Sequence, residues 1–167
     1  MLTIIQKNKI SVQDIRHYMN YLLDKSAQDE SVRALAINIT SGKSDNISAV
    51  FDWVKTNIKY VPDATIAGSL GSSAEDPELF ISPIRMVRDY NEGKPLSGDC
   101  DDQSLMCVAL YRALGMRANG VLLDRQGKGF DHAVCEVESP TLGMITVDTT
   151  GNTPLGWEEN YNQKEII

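Results

Sequence analysis

One helix in this chain has almost no polar side. From about Cys100 to Leu114, the residues Leu105, Met106, Val108, Ala109, Leu110, Ala113 and Leu114 cover most of the circumference. A helix apolar on most sides is normally buried, so the rest of the chain must wrap around it. Gly115 fits its C-terminal stop. Its start is unusual: Ser97-Gly98-Asp99-Cys100-Asp101-Asp102-Gln103 places a cysteine among three aspartates where a loop becomes the helix.

The flanking segments show what does the wrapping. Val12, Ile15, Met19, Leu22 and Leu23 recur at helical spacing across 11–25, with Ser11 and Asp14 placed as a capping box. A second helix is predicted over about 29–39 and a third over about 46–58, divided by Gly42-Lys43-Ser44, a helix stop and the next cap. The stretch 64–76, small and polar, reads as a mobile surface loop bordering a cleft. Ser82-Pro83 opens a short helix to about Asn91. After the apolar helix come three strand candidates, 117–124, 132–138 and 144–148, and then a polar stretch, 158–167, expected to be loosely held. Helices first and antiparallel strands afterwards argue for an α+β domain rather than a parallel doubly wound sheet. The predicted division is an arm and helix over 1–28, the main domain over 29–152 and a tail over 153–167.

Composition narrows the function. A formal net charge of −7 over 167 residues, without a Lys/Arg run, argues against nucleic-acid binding. No apolar run is long enough to span a bilayer, and 1–10 is not a convincing signal peptide, so the expected setting is cytoplasmic. The three cysteines, Cys100, Cys107 and Cys135, form no Cys-x-x-Cys pair and suggest neither a disulfide framework nor zinc. Cys107 and Cys135 read as core residues. Asp99, Asp101 and Asp102 are expected to bond free N–H groups of the first helical turn. The run lacks the glycine and terminal glutamate of an EF-hand loop, and no metal or cofactor is expected.

Chemistry concentrates on three residues. His132 is one of only two histidines, and Asp148 lies in the next strand candidate. If Ala133, Cys135 and Val137 share the core face with Ile145 and Val147, one register pairs Cys135 with Ile145 and Ala133 with Val147. That register sets His132 directly opposite Asp148, at cross-strand distance. Cys100 at the helix N-terminus would be a nucleophile, His132 its base and Asp148 the group that orients the base. The crowding aspartates cut the other way, because negative charge disfavours a thiolate.

These segments resemble the transglutaminase-like superfamily. Gly98-Asp99-Cys100-Asp101-Asp102 resembles its nucleophile motif, and Leu105–Gly115 the helix and glycine stop behind it. Phe130-Asp131-His132-Ala133-Val134 resembles the histidine strand, Ile145-Thr146-Val147-Asp148 the aspartate strand, and Ile58-Lys59-Tyr60 the lead-in to the site. The resemblance covers roughly residues 30–152. It implies a papain-like transglutaminase core, in which N-terminal helices and a buried nucleophile helix pack on an antiparallel sheet. It also implies a triad of Cys100, His132 and Asp148, with Tyr60 a weaker carry-over as a substrate-binding wall. The expected function is thioester-forming acyl transfer on peptide or glutamine amide bonds, as a protease or amidase rather than a crosslinker. The expected partner is a protein or peptide substrate, with no nucleic acid and no membrane. The alternative is a non-catalytic assembly module, including a phage virion component, that contacts neighbours through its arm or tail. The chain is small, as in the stand-alone prokaryotic and phage members.

Overall fold

The computed structural model describes residues 10–73 and 77–167. In chain order the elements are α1 (Val12–Ser26), α2 (Glu30–Thr40), α3 (Asn46–Asn57), β1 (Ile58–Tyr60), α4 (Asp63–Ser69), α5 (Pro83–Asn91), β2 (Leu96–Gly98), α6 (Cys100–Ala113), β3 (Ala118–Asp124), β4 (His132–Ser139), β5 (Gly143–Val147) and β6 (Gln163–Ile166). The apolar arm residues Leu2, Ile4 and Ile5 lie outside the described residues.

The expected caps form. The Ser11 hydroxyl accepts from the Asp14 amide at 3.1 Å, and Asp14 reaches back to the Ser11 amide. Asp29, Asp45 and Ser82 cap α2, α3 and α5 with side-chain oxygens. Each cap satisfies amides that a helix leaves without intrahelical partners. Gly115 takes φ 78°, a left-handed conformation that ends α6 at little steric cost.

The apolar helix α6 is the centre of the molecule. Residues 101–111 are all buried, with α1, α2, α3 and α5 on its helical side and β3 and β4 on the other. The buried Tyr111 hydroxyl donates to the Ile47 carbonyl at 2.9 Å and so is not left unpaired in the core.

The main sheet is antiparallel, in the order β5-β4-β3-β6, and β1 and β2 form a separate parallel pair. Three expectations need correction. The hairpin register is displaced by two residues: Cys135 lies opposite Val147 and Val137 opposite Ile145. A two-residue shift keeps every side chain on its face, so alternation fixes parity and leaves this step open. The turn decides it: Pro140-Thr141-Leu142 closes the hairpin, and Gly143 takes φ 75°, so Ser139 pairs with Gly143. The second correction is the supposed loop, where residues 63–69 are helical. The third is the supposed loose tail. Gln163–Ile166 is the edge strand beside β3, and Ile167 is buried in the same core as Met19 and Leu23 of α1. Lys164 and Glu165 are held by ion pairs to Glu136 and Arg16.

Candidate active site

Cys100 is the first residue of α6, and β2 delivers it. Gly98 closes β2 against Tyr60 of β1, and its carbonyl accepts the Val61 amide at 3.0 Å. Asp99 is the N-cap residue, though its side chain makes no capping bond. The helix start is bolted to the sheet beneath it. The buried Ser104 hydroxyl donates to the Val134 carbonyl at 2.8 Å, and Thr149 donates to Gln103 at 2.7 Å. Thr149 follows Asp148, so one short chain of bonds links the cysteine's helix to the aspartate's turn.

His132 Nε2 and Asp148 Oδ2 lie 3.0 Å apart. The two residues are 7 % and 8 % exposed, so water competes little for this bond. With Cys135 opposite Val147, Asp148 continues its strand to a place opposite Val134. It therefore meets His132 diagonally, one of the two cross-strand approaches open to long side chains. The other Asp148 oxygen accepts the Thr150 amide at 2.9 Å and the Thr150 hydroxyl at 2.7 Å. Burial alone would raise this carboxyl, but the bonds from His132 and Thr150 outweigh it and hold it at about 2. Asp148 is thus a fixed carboxylate that sets the imidazole tautomer. With Nε2 committed, Nδ1 is the nitrogen left for exchange with a thiol.

Cys100 and His132 line one cleft of about 230 Å³, together with Tyr60 at the end of β1. The backbone amides of Ala133 and Asp101 favour the Cys100 thiolate, but burial, followed by the charges of Asp99 and Glu78, pushes the thiol up to about 12. Resting Cys100 is therefore a thiol, and any nucleophilic use requires a base. Burial, then the charges of Cys100 and Asp99, also raises the Tyr60 hydroxyl. Cys107 and Cys135 are fully buried and play no part in the cleft.

The aspartates beside Cys100 do more than cap a helix. Asp102 leaves its own helix to accept the Ile81 amide at 2.6 Å, and Asp63, from α4, accepts the Leu79 amide at 2.5 Å. Only Asp101 bonds a first-turn amide, that of Asp102, at 2.9 Å. Asp63, Asp99, Asp101 and Asp102 each keep a buried oxygen that no N–H or hydroxyl of the described residues reaches. The oxygens of Asp63, Asp99 and Asp102 lie within 4.8 Å of one another, a donor set of the type that takes hard cations. Shared protons offer the same relief. Asp99 is in hydrogen-bond contact with Asp63 and Asp101, and burial, followed by the charge of Asp99, pushes Asp63 up to about 8. Burial and the neighbouring carboxylates also raise Asp101 and Asp102.

This cluster should make stability depend on pH. A folded-state value of about 8 against 3.8 for the free side chain means the folded chain binds the extra proton between those limits. Its stabilising contribution is complete below about pH 4 and is lost as pH rises through about 8. Asn at position 63 keeps the acceptor for Leu79 and carries no charge. Asp63→Asn should therefore be more stable than wild type at pH 8.5 by about 1–3 kcal/mol, and close to wild type at pH 5. Urea unfolding in EDTA at both pH values checks this. A variant weaker at both would show that the carboxylate itself is needed.

A second donor group went unread in the sequence. Glu159 brings a carboxylate oxygen within 4.8 Å of the His132 and Asp148 ligand atoms, and Arg125 holds it at 3.3 Å. Nothing local marks Glu159, because it lies in the polar stretch that folds back beside the sheet.

No protein-family model and no curated protein sequence matches the chain. Solved structures do. A candidate cysteine protease from Cytophaga hutchinsonii aligns over 85 % of this chain with 19 % identity and a TM-score of 0.52. A candidate protease from Parabacteroides distasonis aligns over 82 % with 9 % identity and a TM-score of 0.56. These two structures share the α+β fold expected from the sequence, with N-terminal helices and a buried helix packed on an antiparallel sheet. A transglutaminase structure also aligns over 95 % of the chain, with 16 % identity, a TM-score of 0.45 and 38 % of its own length covered. The chain spans 45 % and 26 % of the two protease structures, so it corresponds to less than half of each.

Proposed function

We propose that the chain is a cysteine-dependent acyl-transfer enzyme acting on peptide or glutamine amide bonds through a thioester, with hydrolysis favoured over crosslinking. The observation that carries this reading is the buried 3.0 Å His132–Asp148 pair, whose histidine lines one cleft with Cys100. Cys100 attacks the carbonyl as His132 takes its proton, because the resting thiol is un-ionised. The bound imidazolium, stabilised by Asp148, then protonates the leaving amine. Water attacks the thioester with His132 again as base, and the acid and Cys100 are released. The Cys100 amide at the start of α6 would supply an N–H to the oxyanion, aided by the partial positive charge of the helix N-terminus. Tyr60 forms part of the cleft wall.

The test is acyl capture. A peptide thioester mixed with the folded protein should leave its acyl group on Cys100, seen by intact mass and peptide mapping, and none on Cys107 or Cys135. His132→Ala should lose the adduct. If folded protein accumulates no adduct and turns over no thioester, the scaffold is a binding or assembly module and the reading falls.

A further inference from the structure

β5 ends at Val147, opposite Cys135, so Asp148 lies just past the ladder that aligns the hairpin. His132 is placed differently, because it pairs with Leu123 of β3. Strand pairing therefore fixes the base and leaves its carboxylate to side-chain bonds. Those from Thr150 and Thr153 are internal to the turn: Thr150 holds the Asp148 carboxylate, and the Thr153 hydroxyl donates to the Asp148 carbonyl at 3.2 Å. They shape the turn without fixing it to the rest of the molecule. Lys55 of α3 ties its far end, donating to the Thr153 carbonyl at 3.0 Å. The tether next to Asp148 is the bond from Thr149 to Gln103.

Both partners are buried, Gln103 at 1 % and Thr149 at 7 % exposure. The Ile58 carbonyl, 3.4 Å from Gln103 Nε2, can only accept. It takes the NH2 side of the amide and leaves Oε1 for the Thr149 hydroxyl at 2.7 Å. Ser104, the next residue, holds the strand of His132 through the Val134 carbonyl. Neighbouring residues of one helix thus grip both halves of the His132–Asp148 pair, and the same helix carries Cys100 at its start. We propose that Gln103 and Thr149 are positioning residues, whose bond sets Asp148 against Nε2 of His132 and so keeps Nδ1 as the nitrogen open to the thiol. The consequence for turnover rests on the acyl-transfer reading above; the consequence for the imidazole does not.

Three variants test it. Thr149→Val keeps the shape and removes the hydroxyl, Thr149→Ser keeps the hydroxyl, and Gln103→Met removes the other partner. Heteronuclear NMR of the wild-type His132 ring should show the neutral form protonated at Nε2, with His17, the other histidine, as internal reference. Thr149→Val and Gln103→Met should each turn that signal into a mixture of the two tautomers, and Thr149→Ser should keep the wild-type spectrum. Neither residue lines the Cys100 cleft. With a peptide thioester, kcat should therefore fall by about 10–10²-fold in Thr149→Val and in Gln103→Met, with KM within about twofold. The double variant should be no worse than the poorer single one, since both changes break one bond. Folded variants that keep the wild-type spectrum, or that turn over thioester at the wild-type rate, would reduce the bond to packing and overturn the proposal while leaving acyl transfer untouched. Failure of both Thr149→Val and Gln103→Met to fold would overturn it too, because the bond would then serve the fold. A tautomer change in a protein that turns over no thioester supports the positioning and overturns the acyl-transfer reading alone.

Discussion

Replacing Cys100 with alanine is expected to abolish turnover, by about 10⁴-fold or more, while the fold is kept. The side chain sits at the cleft wall rather than within the core, so removing its sulfur opens no interior cavity. His132→Ala should be nearly as severe, because burial and the charges of Asp99 and Glu78 keep the thiol un-ionised and make the base indispensable. The double variant should be no worse than the poorer single one, since both changes disable the same proton-coupled attack. Cys107→Ala supplies the contrast. It is fully buried, so its loss should lower the melting temperature and leave kcat unchanged. Measured turnover of a peptide thioester with thermal melts of each variant decides the matter. Substantial activity in Cys100→Ala would remove Cys100 from the nucleophile's role.

The residues that made this site readable are those whose patterns repeat over short stretches. The apolar circumference of α6 required burial, and α1, α2, α3 and α5 all pack on it. Alternation along β4 and β5 gave the correct faces, and so brought His132 and Asp148 together even with the register two residues out. What stayed hidden lacks a local pattern. The pair β1 and β2 has three residues per strand, too few to alternate visibly. β6 reads Gln-Lys-Glu-Ile, because an edge strand that faces water can be charged, and charge there discourages pairing with other chains. Asp63, Gln103, Thr149 and Glu159 act through partners far away in sequence, and nothing in their neighbours announces it. Gln103 and Thr149 are 46 positions apart and meet at 2.7 Å. The acidic run beside Cys100 is the sharpest case. As a string it suggests simple helix capping. In three dimensions it is a buried carboxyl cluster that reaches from α6 to α4 and to the segment before α5.

That cluster explains why position 98 is glycine, and Gly98→Ala should be the most damaging small substitution in the chain. A Cβ built there would stand 2.6 Å from the Asp102 Cβ and 2.7 Å from its Oδ2. A rotamer change could move Oδ2 but not the Cβ, an atom fixed by the α6 backbone. Either α6 must shift or β2 must move away from it. Moving β2 disturbs the Val61–Gly98 bond and carries Asp99 and Cys100 along. Shifting α6 pulls Asp102 from the Ile81 amide, which is held at 2.6 Å. Overpacking of this kind typically costs about 1–3 kcal/mol, and the loss of the buried bond to Ile81 adds to it. Displacing the nucleophile by even ~1 Å should cost a further ~10²-fold in turnover. Asp102→Ala should not rescue Gly98→Ala, since alanine keeps the offending Cβ. Asp102→Gly should recover part of the stability, less about 1 kcal/mol for glycine within a helix. Rescue by alanine as complete as by glycine would show that the carboxylate, and not the Cβ contact, is what position 98 must accommodate.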